Sequence, residues 1–312
     1  MNDRVINSEA DKLFIANQIK NISLETVDRE MDQLIQIGTS SDPNKKVKFS
    51  GLSRVGNNVV DYFTFAQRLE TKGKYDANFF DFLENLEEFK KKKFIQNMLT
   101  YYRDVKNKNK TKNEYIVLKE VYNICISAIN IMKPLNCMEI YSKYNCRRVL
   151  NFCAGWGGSA VAAAALKMEA FYGLEINQGL KVPYERMVEY LATKSPTKID
   201  IRIEDALKTD YSSMDYDLVF ASPPYYAVEK YPNNAKYTSK EEMNELFYRP
   251  VFQATYDGLQ PGGHYVINVC REVYEKVLTS LFGQAFETFP LKKSKRQNSY
   301  TEMVYVWKKM CN

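Results

Sequence analysis

An α/β fold behind a mostly helical N-terminal region is what this sequence predicts, and three observations predict it. From Arg148 onward, short apolar runs alternate with helix-patterned segments, the signature of a parallel sheet covered on both faces. Before about residue 130 the apolar spacing is helical. With 312 residues, 45% of them hydrophobic, the chain can build one catalytic domain of ordinary size plus an appendage. The division is placed at 130, with residues 1–130 helical and 131–312 forming the α/β domain.

In chain order, Ala10 to Ile37 reads as a helix, followed by a mobile polar loop, GTSSDPNKK. From Asp61 to about Tyr144 the pattern stays helical, broken at Gly73 and in the NKNKTKN loop. Phe79, Phe80, Phe82, Phe89, Phe94, Tyr101 and Tyr102 fall on one face there and are expected in the core rather than as a stacking platform. RVLNFCAG is the first strand and leads into the alanine-rich AVAAAALKM; AFYGLEI is the second, followed by a helix from about Lys181 to Thr193. Strands follow at IDIRIED, YDLVFAS and HYVINV, with helices at about Glu241 to Gly258 and Val273 to Leu281. AFETFPL and TEMVYVW close the chain as two strands joined by a basic loop, KKSKRQNS. No internal repeat or flexible linker interrupts this order.

Composition narrows the chemistry. Six cysteines, Cys125, Cys137, Cys146, Cys153, Cys270 and Cys311, form no CxxC pair, so reduced thiols are expected rather than a disulfide scaffold or zinc site. His264 is the only histidine and lies in an apolar run, which argues against a metal centre and a Ser-His triad. No window reaches the roughly 18 to 20 apolar residues of a membrane span, and MNDRVINSEADK lacks the apolar run of a secretory signal. An intracellular, cytoplasmic protein is expected. Net charge is +6, clustered at Lys90 to Lys93, at Arg103, Lys106, Lys108, Lys110 and Lys112, and at Lys292, Lys293, Lys295 and Arg296, a distribution suited to a polyanion.

Four motifs carry chemistry. VLNFCAGWGGS lies where a strand turns into a helix, and Gly155, Gly157 and Gly158 let the backbone pass close to a ligand; the helix N-terminus behind them favours a carboxylate, such as that of S-adenosylmethionine. Eighteen residues beyond Gly157, Glu175 ends the next strand, where a carboxylate can accept hydrogen bonds from ribose hydroxyls. Asp205 ends the third strand on the same edge, within reach of the adenine amino group of a bound nucleoside. The fourth strand runs into Ser222-Pro223-Pro224-Tyr225, where two prolines remove two N–H donors and leave carbonyls and the Ser222 hydroxyl as acceptors. The exocyclic amine of a nucleobase is a poor nucleophile. Accepting both its hydrogens, at Ser222 and the Pro223 carbonyl, favours a pyramidal nitrogen, while Tyr225 stacks on the flipped base. Tyr226 beside it is expected to touch the nucleic acid as well.

In order, LNFCAGWGG, LEIN, RIEDA and ASPPYY resemble the motifs of the class I amino-methylating DNA methyltransferases, over roughly residues 134 to 308. That resemblance implies a Rossmann-like seven-stranded mixed sheet whose last strand inserts antiparallel. It also implies S-adenosyl-L-methionine as cofactor, held by Asn151, Cys153, Ala154, Gly155, Gly157, Glu175 and Asp205. The implied reaction is methyl transfer to adenine or cytosine-N4 amines in double-stranded DNA. An RNA or tRNA amine methyltransferase, or an inert nucleic-acid-binding relative, are the alternatives. SRVGNNVVDYFTFAQRL, KKSKR and YVW are similar to methyltransferases of large DNA viruses, which implies a host cytoplasm.

Three departures from the family pattern stand out. Asn151 and Cys153 replace an aspartate and a phenylalanine, so the methionine end of the cofactor is gripped differently. Ser222 replaces the aspartate frequent in adenine enzymes, which tilts the choice toward cytosine. The glycine motif precedes the catalytic motif and little chain follows the last strand, so target recognition falls to the N-terminal region. If the last two strands form a hairpin, its loop emerges beside the substrate crevice, where Lys292, Lys293, Lys295 and Arg296 would hold phosphates.

Overall fold

The computed structural model describes residues 6, 8–39, 53–226, 230–233, 235–292 and 301–311. Two helices, α1 (Glu9–Ile19) and α2 (Leu24–Thr39), occupy the stretch expected as one. Lys20 leaves α1 extended, and the Ser23 hydroxyl accepts the Thr26 N–H at 3.2 Å, so Ser23 caps the start of a second helix. Most of the polar loop after Thr39 lies outside the described residues, as do Lys293, Lys295 and Arg296.

The helices α3 (Asn57–Arg68), α4 (Phe79–Glu84), α5 (Leu86–Lys90), α6 (Lys93–Thr100), α7 (Glu114–Cys125) and α8 (Pro134–Tyr144) follow, with a π turn at Tyr101–Lys106 after α6. Of the aromatic stripe, Phe79, Phe80, Phe82 and Phe89 are buried, whereas Phe94 and Tyr101 are exposed. The phase resets at the turn of Lys91 and Lys92 before α6, which turns Ile95 and Leu99 inward instead.

Seven strands follow: β1 (Arg148–Asn151), β2 (Ala170–Glu175), β3 (Lys198–Ile203), β4 (Leu218–Ala221), β5 (His264–Val269), β6 (Glu287–Pro290) and β7 (Met303–Lys308). Between them run α9 (Gly158–Ala165), α10 (Lys181–Lys194), α11 (Lys240–Met243), α12 (Arg249–Asp257), α13 (Arg271–Val273) and α14 (Thr279–Phe282). One sheet holds them in the order β3-β2-β1-β4-β5-β7-β6. β1 to β5 pair in parallel, and β7 inserts antiparallel between β5 and β6. This is the Rossmann-like class I methyltransferase arrangement the motifs implied, closing hairpin included. The order reverses between β1 and β4, so a crevice opens at the carboxyl ends of those strands.

Packing divides the helical region. α9, GSAVAAAA, is buried at all eight positions, and its small side chains let α2, α3 and α8 close on one face of the sheet. Val27, Met31, Leu34, Val59, Val60 and Phe63 thus share the core of the α/β domain. Tyr216, Tyr248, Phe252, Tyr265 and Trp307 fill the opposite face. α1 and α4 to α7 gather around Phe79, Phe82 and Tyr122 in a separate cluster, joined to the first through α3. His264 starts β5 and stacks on Tyr144, ring centres 4.7 Å apart, at the sheet end remote from the crevice. Among the described residues no helix is long and apolar enough to cross a membrane.

Candidate active site

The turn after β1 is built from its own polar groups. Asn151 is buried; its Nδ2 donates to Ser159 Oγ at 2.9 Å and its Oδ1 accepts the Cys153 N–H at 3.0 Å. The Ala154 N–H donates to the Leu174 carbonyl at 2.8 Å, and Thr64 of α3 donates to the Trp156 carbonyl at 3.1 Å. The three glycines do different work. A Cβ on Gly157, at φ 89°, would lie 2.6 Å from Met187 Sδ, and one on Gly158 only 1.9 Å from the Met132 carbonyl oxygen. Gly158 is therefore demanded by packing against backbone, and Gly157 by its left-handed φ, since the Met187 side-chain end can move aside. Gly155, at φ 61°, would meet nothing nearer than 3.8 Å and fronts open space. Burial and the neighbouring Glu175 push the Cys153 thiol well up, so it stays protonated.

Glu175 closes the turn from the next strand: Oε2 accepts the Gly155 N–H at 2.9 Å and Oε1 the Asn177 N–H at 3.0 Å. Burial pushes its carboxyl up to about 7 despite these donors. Asp205 follows β3, and its Oδ1 accepts the Leu207 N–H at 3.0 Å. Asn151, Cys153, Ala154, Gly155, Glu175, Asp205 and Ser222 to Tyr226 all line one cleft of about 2220 Å³.

At the end of β4 the Ser222 hydroxyl donates to Asn268 Oδ1 at 2.8 Å, and the Tyr225 hydroxyl donates to the same oxygen at 2.8 Å. Asn268 is fully buried on β5, and its Nδ2 donates to the Met303 carbonyl at 2.9 Å, which fixes the amide so that its oxygen faces the loop. The Pro224 carbonyl is taken by the Tyr248 hydroxyl. The Pro223 carbonyl accepts no hydrogen bond among the described residues. Asn268 was not foreseen, because HYVINV reads as a uniform core strand; a lone amide in an apolar strand beside the prolyl loop was the available signal.

Tyr226, expected at the nucleic acid, is 8% exposed and at φ 49° turns its ring into the protein. Its hydroxyl donates to Asn244 at 3.1 Å and its N–H to the Tyr248 oxygen at 3.2 Å, so it supports the loop from behind. Lys292 stands on the cleft wall, with its ammonium 2.5 Å from Glu139 and its carbonyl accepting from Asn136.

The opposite wall comes from the helical region, with Lys20, Arg54, Asn57, Lys72 and Asn123 among its lining residues. Lys72 and Lys230 exchange backbone hydrogen bonds of 3.1 and 3.2 Å, which ties the chain beyond the prolyl loop to that wall.

No protein-family model matches this chain, and no curated protein does. Solved structures similar to it include TrmN from Thermus thermophilus, at 17% identity over 57% of this chain and TM-score 0.41. A SAM-dependent O-methyltransferase from Thermotoga maritima matches at 15% identity, over 62% of this chain and 71% of its own, TM-score 0.41. NSun6 from Pyrococcus horikoshii matches at 12% identity, over 62% and 63%, TM-score 0.41. The chain spans about half the length of TrmN, 49%. At these identities the likeness is one of fold.

Proposed function

We propose that this chain transfers the methyl group of S-adenosylmethionine to the exocyclic amine of adenine, or N4 of cytosine, in DNA. One observation carries the reading. The Ser222 hydroxyl hydrogen is committed to Asn268, so Ser222 Oγ meets the cleft with lone pairs. The Pro223 carbonyl supplies a second acceptor beside it. Two acceptors without a donor suit an NH₂ group, which offers two hydrogens, and repel a keto oxygen.

The residues fit the cofactor. Gly155 leaves room for a ligand at the turn, and Glu175 and Asp205 stand on neighbouring strand ends for ribose hydroxyls and an adenine amine. S-adenosylmethionine supplies an electrophilic methyl on a sulfonium. Ser222 and the Pro223 carbonyl draw the two N–H hydrogens to one side and turn the nitrogen lone pair toward that methyl. Tyr225, held by Asn268, offers a fixed ring for the base to stack on. After transfer the nitrogen sheds its extra proton to water, since neither Ser222 nor Asn268 is a base at neutral pH. In this reading residues 1–130 contribute target recognition.

Labelled S-adenosylmethionine incubated in parallel with duplex DNA and with single-stranded RNA tests the proposal. Label in DNA is expected. Label in RNA alone selects an RNA amine methyltransferase, and label in neither overturns the enzyme.

A further inference from the structure

The basic stretch between Lys90 and Lys112 is not absorbed by the candidate active site. It holds nine of the chain's 44 lysines and arginines against a single acid, Asp104, of 38. The rest of the chain has 35 basic and 37 acidic residues, so the entire positive excess sits here. Lys90, Lys91, Arg103 and Lys112 are neutralised by Glu87, Glu88, Glu114 and Glu120. Lys92, Lys93, Lys106, Lys108 and Lys110 are exposed and meet no carboxylate among the described residues.

Between these lysines lie Phe94, Tyr101 and Val105, exposed at 58%, 39% and 60%. Spaced seven and four residues apart, they share one helix face, away from buried Ile95 and Leu99. A single exposed apolar side chain needs no explanation, but three aligned among unpaired lysines do. The surface also continues to the cleft. Lys92 Nζ stands 4.5 Å from the centre of the Tyr75 ring, which is 56% exposed. The next residue, Asp76, meets Lys230 at 2.9 Å and Lys72 at 3.6 Å, and all three line the cleft.

We infer that Tyr75 and the face from Lys92 to Lys110 anchor a single-stranded segment of DNA flanking the target base. Unpaired lysines suit its phosphates, and aromatic faces stack on bases only where these are unpaired. The inference rests on the reading of the chain as a nucleic-acid enzyme and adds the form of strand it holds.

Fluorescence anisotropy with a labelled single-stranded DNA and its blunt duplex, without cofactor and across a salt series, tests it. The wild type is expected to prefer the single strand. Alanine at Lys92, Lys93, Lys106, Lys108 and Lys110 should reduce the salt slope by about 3. Phe94→Ala with Tyr101→Ala should weaken binding about thirtyfold or more with the slope unchanged. Should the five-lysine variant fail a melting control, Lys93→Glu with Lys108→Glu replaces it and should also flatten the slope. Unchanged affinity and slope with methylation intact, or preference for the duplex, overturns the surface alone. Binding losses of the expected kind in a protein that methylates nothing would overturn the enzyme and leave the surface standing.

Discussion

The prolyl loop after β4 and the helical face after Lys92 are both polar, and they are built in opposite ways. In the loop, the Pro223 carbonyl aside, the polar groups around the prolines are committed: Ser222 and Tyr225 to Asn268, Asn268 to Met303, Pro224 to Tyr248, Tyr226 to Asn244. On the helical face five lysines meet no carboxylate and two aromatic rings are exposed. Commitment fixes what a group can accept, which is how a small site discriminates; uncommitted charge attracts any polyanion and discriminates little. In the proposed reading the loop carries the chemistry and the face holds the strand.

The comparison is best broken at Asn268. Asn268→Leu should release both hydroxyls and lower kcat about 100-fold with little change in KM, since misplacement by about 1 Å has effects of that size. It should also cost about 1–3 kcal/mol in unfolding free energy, because Ser222, Tyr225 and the Met303 carbonyl lose a buried partner. Steady-state kinetics and denaturant melts read the two effects separately. Asn268→Asp should keep the acceptor and recover part of the rate, which a merely structural role would not predict. On the cofactor side, Gly157→Ala places a methyl group against Met187 at positive φ and should destabilise the fold by about 1–3 kcal/mol.

Glu175 gives a milder effect. With its carboxyl at about 7, it is largely protonated at pH 6 and ionised at pH 8. Only the ionised form accepts two hydroxyl hydrogen bonds, so cofactor affinity should rise about tenfold, at most, over that range. Glu175→Gln should flatten the profile, and an unchanged slope by calorimetry would remove the ribose assignment. The smallest expected effect is Tyr225→Phe, which keeps the stacking ring and loses one tether, worth about 1 kcal/mol.

Much of this was legible because it is local. Strands follow from runs such as RVLNFCAG and YDLVFAS, the antiparallel closing strand came with the family resemblance, and the glycine turn and prolyl loop each directly follow a strand of the parallel sheet, which puts both on its carboxyl edge. What escaped depends on contacts between distant segments. Asn268 lies 46 positions from Ser222 and meets it only because β4 and β5 are neighbours. Tyr226 adjoins Tyr225 in sequence, yet a positive φ sends its ring inward. Phe94 comes five residues after Phe89, beyond the turn at Lys91–Lys92 that starts α6, and the new helix buries Ile95 and Leu99 instead. Gly158 is set by the Met132 carbonyl, a partner that no local pattern reveals.

The central claim is that Ser222, oriented by Asn268, selects an amine. Nucleoside mass spectrometry of duplex DNA treated with labelled S-adenosylmethionine, run with wild type and Ser222→Ala, tests it most directly. The account predicts label on the exocyclic amine of adenine or cytosine with wild type and a loss of about 100-fold in the variant, the scale on which removing one preorganised hydrogen-bonding group acts. Label on a ring carbon or keto oxygen, or undiminished amine methylation by Ser222→Ala, would contradict it.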